Sequence, residues 1–206
     1  MTPRALPLAL VVALLMLLTT ACGDDDDAAS GTLAGYVREP TPVVSDLSLP
    51  DATNGGEPLV FRAEDGELLL VYFGYTSCPD VCPTTLSDVR TALADRGEED
   101  AATIDLAMAT VDPDRDVDEV IGGYVQSFVP GAHGLRTTDD TELRAAADAF
   151  GVEYGVETND EGEVEVVHSG SLYVVDDQGQ LVLTWPFGTP VDDLVNDLRI
   201  LMEARV

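Results

Sequence analysis

The sequence contains no lysine. Its ten basic residues are all arginines and stand against 39 acidic residues, so the formal net charge is −29 at pH 7. A chain with so few positive charges repels a phosphate backbone, and this composition argues against nucleic-acid binding and against an electrostatic grip on anionic lipid. We interpret the acidic surface as a source of solubility. The alternative is a surface that collects cations or docks a basic partner.

Cysteine and histidine are almost as scarce as lysine. The chain has three cysteines, Cys22, Cys78 and Cys82, and two histidines, His133 and His168. Cys22 directly follows an apolar leader and belongs to a targeting signal. Cys78 and Cys82 are therefore the only thiols available for chemistry in the domain that follows.

Long apolar stretches are also missing, because none reaches the roughly 20 residues that a membrane-spanning helix needs. The apolar run at 5–18 has 14 residues and follows Arg4, which is the pattern of a signal peptide over residues 1–21. The residues just before Cys22 resemble the bacterial lipobox, although Thr19 stands where a leucine is usual. We predict that Cys22 is lipidated and that the protein is extracytoplasmic, anchored to the outer face of the bacterial cell membrane. An ordinary cleaved signal with a spare cysteine is the alternative.

Residues 22–40 have the composition of a linker, with four consecutive aspartates at 24–27. Such a segment is solvated and repels itself, so we predict an acidic flexible tether. The remaining residues, 41–206, are enough for one domain with a sizeable core. The sequence shows no internal repeat.

Apolar periodicity predicts that this domain belongs to the α/β class. The runs at 68–73 and 104–111 have the length and composition of strands buried on both faces. Two such strands joined by a helical crossover and followed by a late hairpin and a helix indicate a thioredoxin-like fold, a single domain with a central mixed sheet flanked by helices. The predicted order is weak strands at 43–49 and 59–61, strand 68–73, helix 83–94, strand 104–111, helices 117–128 and 140–150, strands 171–175 and 181–185, and a helix from residue 190.

The two domain cysteines lie where a strand meets a helix start, at positions i and i+4. In helical geometry these positions share one face and rise about 6 Å, near the upper end of the roughly 4.4–6.8 Å that separates the Cα atoms of a disulfide. A helix N-terminus also favours the thiolate. Cys78 and Cys82 are thus suited to form a redox-active pair or to face one soft metal ion. A small structural disulfide is the alternative, although so short a loop would gain little stability from it.

Two thiolates alone make an incomplete metal site, so a third ligand is needed. His168 precedes the strand at 171–175, and in a thioredoxin-like plan the segment entering that strand passes beside the cysteines. Two thiolates and one imidazole suit copper as Cu(I) or Cu(II), whereas structural zinc would need a fourth ligand. We interpret His133 as a loop residue. Asp80 and Asp112 are interpreted as turn residues, with a role around a metal as the alternative.

Three motifs of the sequence resemble those of the SCO/SenC proteins. The first, residues 74–86, reads GYTSCPDVCPTTL; the second, 111–116, reads VDPDRD; the third comprises His168, an apolar strand and Asp177-Gln178-Gly179. The final helix is similar as well, and the resemblance covers roughly residues 45–203. Ser77 and Val167 depart from it, since many members have histidine and aspartate at these positions. The missing aspartate could weaken the orientation of the imidazole of His168.

The resemblance implies a membrane-tethered, thioredoxin-like copper protein. Members bind copper through the two motif cysteines and the later histidine, and these roles fall on Cys78, Cys82 and His168. Members help to deliver copper to the Cu(A) centre of cytochrome c oxidase, or keep its thiols reduced. The implied partners are the Cu(A)-bearing subunit and an upstream copper donor or thiol reductant.

Two functions from different classes follow. The first is a copper metallochaperone for oxidase assembly, which is not an enzyme. The second is an extracytoplasmic thiol–disulfide oxidoreductase that uses Cys78 and Cys82 without metal and does not need His168. Reductases of this fold usually carry two residues between the cysteines, and here there are three. A peroxidase of related fold is a weaker third hypothesis, because no Pro-x-x-x-Thr-x-x-Cys arrangement is present.

Overall fold

A computed structural model describes residues 31–204 of the chain. The predicted signal peptide, the lipidation site Cys22 and the aspartate run of the tether lie outside the described residues, and their assignments stay predictions. No helix within the described part is both long and apolar enough to cross a membrane.

Nine strands and four helices longer than two turns make up the described part of the domain. The strands are β1 (Ser48–Asp51), β2 (Glu57–Val60), β3 (Leu68–Gly74), β4 (Ile104–Thr110), β5 (His133–Leu135), β6 (Tyr154–Thr158), β7 (Val164–His168), β8 (Leu172–Val175) and β9 (Leu181–Trp185). The helices are α1 (Val81–Arg96), the one-turn α2 (Glu98–Ala101), α3 (Asp118–Phe128), α4 (Asp140–Phe150) and α5 (Val191–Glu203).

Seven strands form one mixed sheet in the order β2-β1-β5-β4-β3-β8-β9. Strand β3 pairs in parallel with β4 and antiparallel with β8, so it lies inside the sheet and all seven of its residues are buried. Strands β6 and β7 form a separate two-stranded hairpin. The α/β class and the central mixed sheet predicted from the sequence are confirmed.

Side chains alternate between the two faces of the sheet, because successive residues of a strand point in opposite directions. One face of β3 carries Leu68, Leu70 and Tyr72, which pack with buried residues of α1, α3 and α5. The other face, which includes Val71, packs with α4. Leu86, Val89 and Leu93 of α1 are buried in this layer, and Cys82 lies on the same face of the sheet as Tyr72.

Several boundaries differ from the sequence prediction. Helix α1 begins at Val81 instead of residue 83, and the first strand spans Ser48–Asp51 instead of 43–49. His133 is the first residue of β5, although it was predicted to lie in a loop. A strand of three residues is too short to show a recognisable apolar alternation in the sequence. Strands β6 and β7 are absent from the predicted order, because each depends on hydrogen bonds from the other.

Asp197 fixes the start of the described chain onto α5. This fully buried carboxylate accepts hydrogen bonds from the backbone N–H groups of Ala34 and Gly35 at 2.9–3.1 Å and from the Trp185 indole at 2.9 Å. A buried charge needs such donors to replace water. Residues 34 and 35 are therefore held against α5, beside the end of β9.

Candidate metal centre

The two cysteines lie on either side of the start of α1. Strand β3 ends at Gly74 and α1 begins at Val81, so Cys78 is in the loop and Cys82 is in the first helical turn. The backbone N–H of Cys82 donates to the Sγ atom of Cys78 at 3.3 Å. Both thiols are free. The sulfur of Cys78 thus satisfies a backbone donor that a helix N-terminus otherwise leaves unpaired.

Gly74 allows the sulfur of Cys82 to lie directly against the end of β3. A Cβ atom at this position would lie 2.9 Å from the Sγ atom of Cys82 and 2.7 Å from the Tyr72 ring. Both distances are shorter than real carbon contacts permit. The absence of a side chain at residue 74 is therefore part of how the site is built.

Asp116 holds the cysteine loop against β4. Its carboxylate is fully buried and accepts hydrogen bonds from the Thr76 backbone N–H at 2.9 Å, the Thr76 hydroxyl at 2.5 Å and the Thr110 hydroxyl at 2.6 Å. Thr76 stands two residues before Cys78. The second sequence motif thus contributes to the site through the position of the loop.

His168 is the last residue of β7 and brings its ring to the cysteines from the hairpin. Its Nε2 atom lies 3.5 Å from the Sγ atom of Cys82, and its Nδ1 atom lies 3.0 Å from the Ser169 carbonyl oxygen. A carbonyl can only accept, so Nδ1 carries the proton. In the neutral imidazole Nε2 then has its lone pair free on the side of the thiols, as a metal ligand requires.

Two tyrosines hold the imidazole of His168 between them. The rings of Tyr72 and Tyr75 meet it edge to face, with centroid distances of 6.2 and 5.7 Å and interplanar angles of 82° and 89°. Val167, where a hydrogen-bonding aspartate would be usual by resemblance, is 74% exposed. Aromatic packing and the Ser169 carbonyl orient the ring instead.

The two thiols differ in acidity. Burial by itself raises the pKa of Cys78. Hydrogen bonds outweigh this effect, and the pKa lies below the ordinary value of a thiol. The donors are the backbone and thiol of Cys82, the backbone of Asp80 and the Tyr75 hydroxyl. Burial raises the pKa of Cys82 to about 12, with the neighbouring Cys78 adding to the rise. Cys78 is therefore the more easily ionised thiol.

Burial lowers the pKa of His168, and the nearby backbone carbonyls of Ser169 and Phe73, which favour the charged ring, only partly offset this effect. The neutral, ligand-competent imidazole is thus favoured near neutral pH.

The three predicted residues meet in one place. The ligand atoms of Cys78, Cys82 and His168 all lie within 4.8 Å of one another, and no other such group of metal-ligating side chains was found among residues 31–204. Two soft sulfurs and one imidazole nitrogen without a carboxylate suit copper better than calcium or magnesium. The donor set therefore fits the metal that the sequence predicts.

His133 does not join this cluster. Its Nδ1 atom pairs with the buried carboxylate of Asp51 at 2.7 Å, so it has a structural partner. Asp80 is exposed and precedes α1, and Asp112 is buried in a turn, where it forms an ion pair with Arg115. Both aspartates are turn residues, as interpreted from the sequence.

An open depression of about 430 Å³ leads to the site. It is lined mainly by apolar side chains, among them Val81, Val166 and the half-exposed Phe187. Gly170 completes its wall at a close approach, since a Cβ there would lie 3.1 Å from Val81. Cys78 and His168 both border this opening.

Comparison with known proteins identifies the family. The model of the SCO1/SenC family matches residues 38–203, which is most of the chain. The chain belongs to the SCO1/SenC family. An SCO2-like protein of Rickettsia prowazekii is 35% identical over 117 residues, which are 56% of this chain and 56% of that protein. Matches span 66%, 56% and 46% of the length of three curated relatives, so the chain spans about half to two thirds of them.

Solved SCO structures share the fold. Apo Sco1 of Thermus thermophilus superimposes with a TM-score of 0.72 at 31% identity, covering 84% of this chain and 99% of that one. ScoI of Bradyrhizobium japonicum, determined with copper bound, has a TM-score of 0.63 at 27% identity and covers 75% of this chain and 96% of that one. The predicted thioredoxin-like fold is confirmed by these neighbours.

Some residues that shape the site were not recognised from the sequence. Gly74 and Thr76 lie inside the first motif and Asp116 ends the second, yet no local pattern distinguishes a residue that positions a loop from one that only turns the chain. The sequence indicated Tyr72 only as a member of an apolar strand. Its place beside His168 depends on pairing between distant segments.

Proposed function

We propose that this chain is a copper metallochaperone that holds one copper ion through Cys78, Cys82 and His168 and delivers it to the Cu(A) centre of cytochrome c oxidase. The observation that carries this proposal is the approach of the three ligand atoms to within 4.8 Å of one another. The family membership supports copper as the metal, and the copper-bound ScoI neighbour agrees with it. We infer delivery to cytochrome c oxidase from the resemblance of the sequence motifs.

The chain's own residues account for binding and for release. Cys78 ionises first, and the imidazole of His168 stays neutral, so two ligands are ready without a large proton cost. Cys82 lies deeper and must lose a proton as it binds. Since Cys78 and His168 border the open depression, an acceptor's thiolates can replace these ligands one at a time.

Cys22 provides the attachment in this proposal. As a lipidated residue it would hold the domain at the outer face of the membrane, where the Cu(A)-bearing subunit is also exposed. The acidic segment after it would give the domain reach. An upstream copper donor or a thiol reductant would load or reactivate the site.

A competitive titration tests the proposal. The reduced chain, carrying Cys22→Ser to remove the third thiol, is titrated anaerobically with Cu(I) against a chelator. We expect one tightly held copper per chain, lost in Cys78→Ser and His168→Ala and kept in His133→Ala. His133 is the matched control because it is the other histidine and pairs with Asp51. Equal affinity in the His168 and His133 variants would contradict the assignment. Transfer is then tested by mixing the loaded chain with a reduced Cu(A)-bearing domain.

A thiol–disulfide oxidoreductase is the second candidate function, and the unequal acidity of the two thiols favours it. The Cys78 thiolate would attack a target disulfide, form a mixed disulfide and release one target thiolate. Deprotonated Cys82 would then attack the Cys78 sulfur, close the Cys78–Cys82 disulfide and release the second target thiolate. A thiol reductant would be needed to restore the pair. Turnover that survives in His168→Ala would support this function.

A further inference from the structure

Tyr72 carries a hydroxyl group that the fold leaves without a partner. The residue is fully buried, and its oxygen makes no hydrogen bond among the described residues. Buried polar groups are nearly always paired, because leaving one unpaired costs free energy. A core that keeps a phenol at this position, where phenylalanine would fill the same volume, requires a reason.

Tyr72 lies directly beside two of the proposed metal ligands, His168 and Cys82. The Tyr72 ring packs edge to face on His168, and both the ring and the Cys82 sulfur border the space above Gly74. The phenol lies beside the side chains of Cys82 and Thr85. The Thr85 hydroxyl already donates its proton to the Val81 carbonyl at 2.9 Å. Cys82 is thus the neighbour of Tyr72 whose hydrogen-bonding capacity changes with the state of the site.

That change follows from the chemistry of sulfur. A neutral thiol accepts hydrogen bonds weakly, whereas a thiolate accepts charge-assisted ones that are roughly twice as strong. A sulfur that coordinates a metal is a thiolate. The partner that Tyr72 lacks is therefore created at Cys82 when a metal binds.

We propose that the Tyr72 hydroxyl donates a hydrogen bond to the Cys82 sulfur when that sulfur is a metal-bound thiolate, and that Tyr72 is a positioning residue for copper binding. The inference rests on the proposed function of this site. The hydrogen bond stabilises the loaded state and leaves the unloaded state with an unpaired group. Tyr72 accordingly makes the copper-loaded state more stable relative to the metal-free state.

Tyr173 provides a matched control. It is also a buried tyrosine, on the neighbouring strand β8, but it packs on the opposite face of the sheet with Phe73 and Phe150. Tyr173→Phe therefore removes one phenol oxygen from the same sheet without touching the site.

The test compares Tyr72→Phe with Tyr173→Phe and the wild type, all as the full-length reduced chain. The probes are Cu(I) with a competing chelator, the thiolate-to-copper charge-transfer band after addition of Cu(II), and the melting temperature of the metal-free protein. For Tyr72→Phe we expect copper affinity to fall about tenfold, because one charge-assisted hydrogen bond is lost. The band should move to lower energy, because a sulfur without the hydrogen bond holds its electrons less tightly. The melting temperature without metal should be unchanged or higher.

Each other outcome decides against the proposal. Wild-type affinity and an unshifted band in Tyr72→Phe would overturn it while leaving the copper site itself intact. A lower melting temperature with an unshifted band would assign Tyr72 a packing role only. If the wild-type chain bound no copper, the proposed function would fail, and this inference would fail with it.

Discussion

The Nε2 atom of His168 lies 3.5 Å from the Sγ atom of Cys82, although the two residues are 86 positions apart in the sequence. The contact exists because the hairpin of β6 and β7 ends beside the first turn of α1. It joins one proposed ligand, on the two-stranded hairpin, to another, on helix α1. The site therefore depends on how several distant segments pack.

The first prediction concerns the close approach at Gly74. In Gly74→Ala the new methyl group would overlap the Cys82 sulfur and the Tyr72 ring, so we expect a loss of about 1–3 kcal/mol in the free energy of unfolding, together with weaker copper binding. Gly123→Ala is the control, because nothing lies within 4 Å of its added Cβ in α3; there we expect a gain of about 0.5–1 kcal/mol. Denaturant titration measures both. Equal stability of the two variants would show that the end of β3 is loosely packed.

The second prediction concerns the carboxylate that holds the cysteine loop. Asp116→Ala leaves three donors from Thr76 and Thr110 without their acceptor, so we expect a loss of about 3 kcal/mol or more. Asp114→Ala, an exposed aspartate of the same motif, should change stability by no more than about 0.5 kcal/mol. Where the Asp116 variant remains folded, copper affinity should fall as well. Unchanged affinity in a folded Asp116 variant would refute a role in placing Cys78.

The third prediction concerns the order in which the thiols react. Cys78 has the lowered pKa and is partly exposed, while Cys82 is buried with a raised pKa. Iodoacetamide should therefore modify Cys78 first, with a pH midpoint below that of an ordinary thiol. Peptide mapping by mass spectrometry after short exposure gives the order. Preferential labelling of Cys82 would reverse the roles assigned to the two thiols.

The fourth prediction concerns the pH dependence of the metal-free protein. Burial lowers the pKa of His168 below its ordinary 6.5 in the folded state. Between 6.5 and the lower folded value, the unfolded chain binds a proton that the folded chain does not, so stability should fall as the pH decreases through this window. Above pH 6.5 the residue should cause no slope.

His168→Gln removes this titration and should flatten that part of the curve, while His133 remains as an internal reference in both proteins. Urea titrations at several pH values measure the slopes. Identical slopes in the two proteins would mean that His168 is as accessible to protons in the folded chain as in the unfolded one.

Much of this description could be predicted from the sequence because the signals were local. The continuous apolar runs of β3 and β4 and the apolar periodicity of the helices predicted the α/β order, and two cysteines at i and i+4 beside a helix start indicated the thiol pair. The position of His168 could be predicted from the fold, because the strand it precedes, β8, had to lie beside β3.

What could not be predicted depends on contacts between distant segments. The strand β5 has three residues and exists because β4 and β1 offer hydrogen bonds to its two edges. The roles of Gly74 and Tyr72 appear only when α1 and the hairpin are packed on β3. The burial of Asp116 likewise requires that the second motif fold back over the cysteine loop.

The most direct test of the copper assignment is X-ray absorption at the copper edge of the Cu(I)-loaded chain. The account predicts two sulfur ligands and one nitrogen ligand, with the nitrogen lost in His168→Ala and retained in His133→Ala. A nitrogen ligand that persists in His168→Ala, or a copper environment without two sulfurs in the wild type, would contradict it.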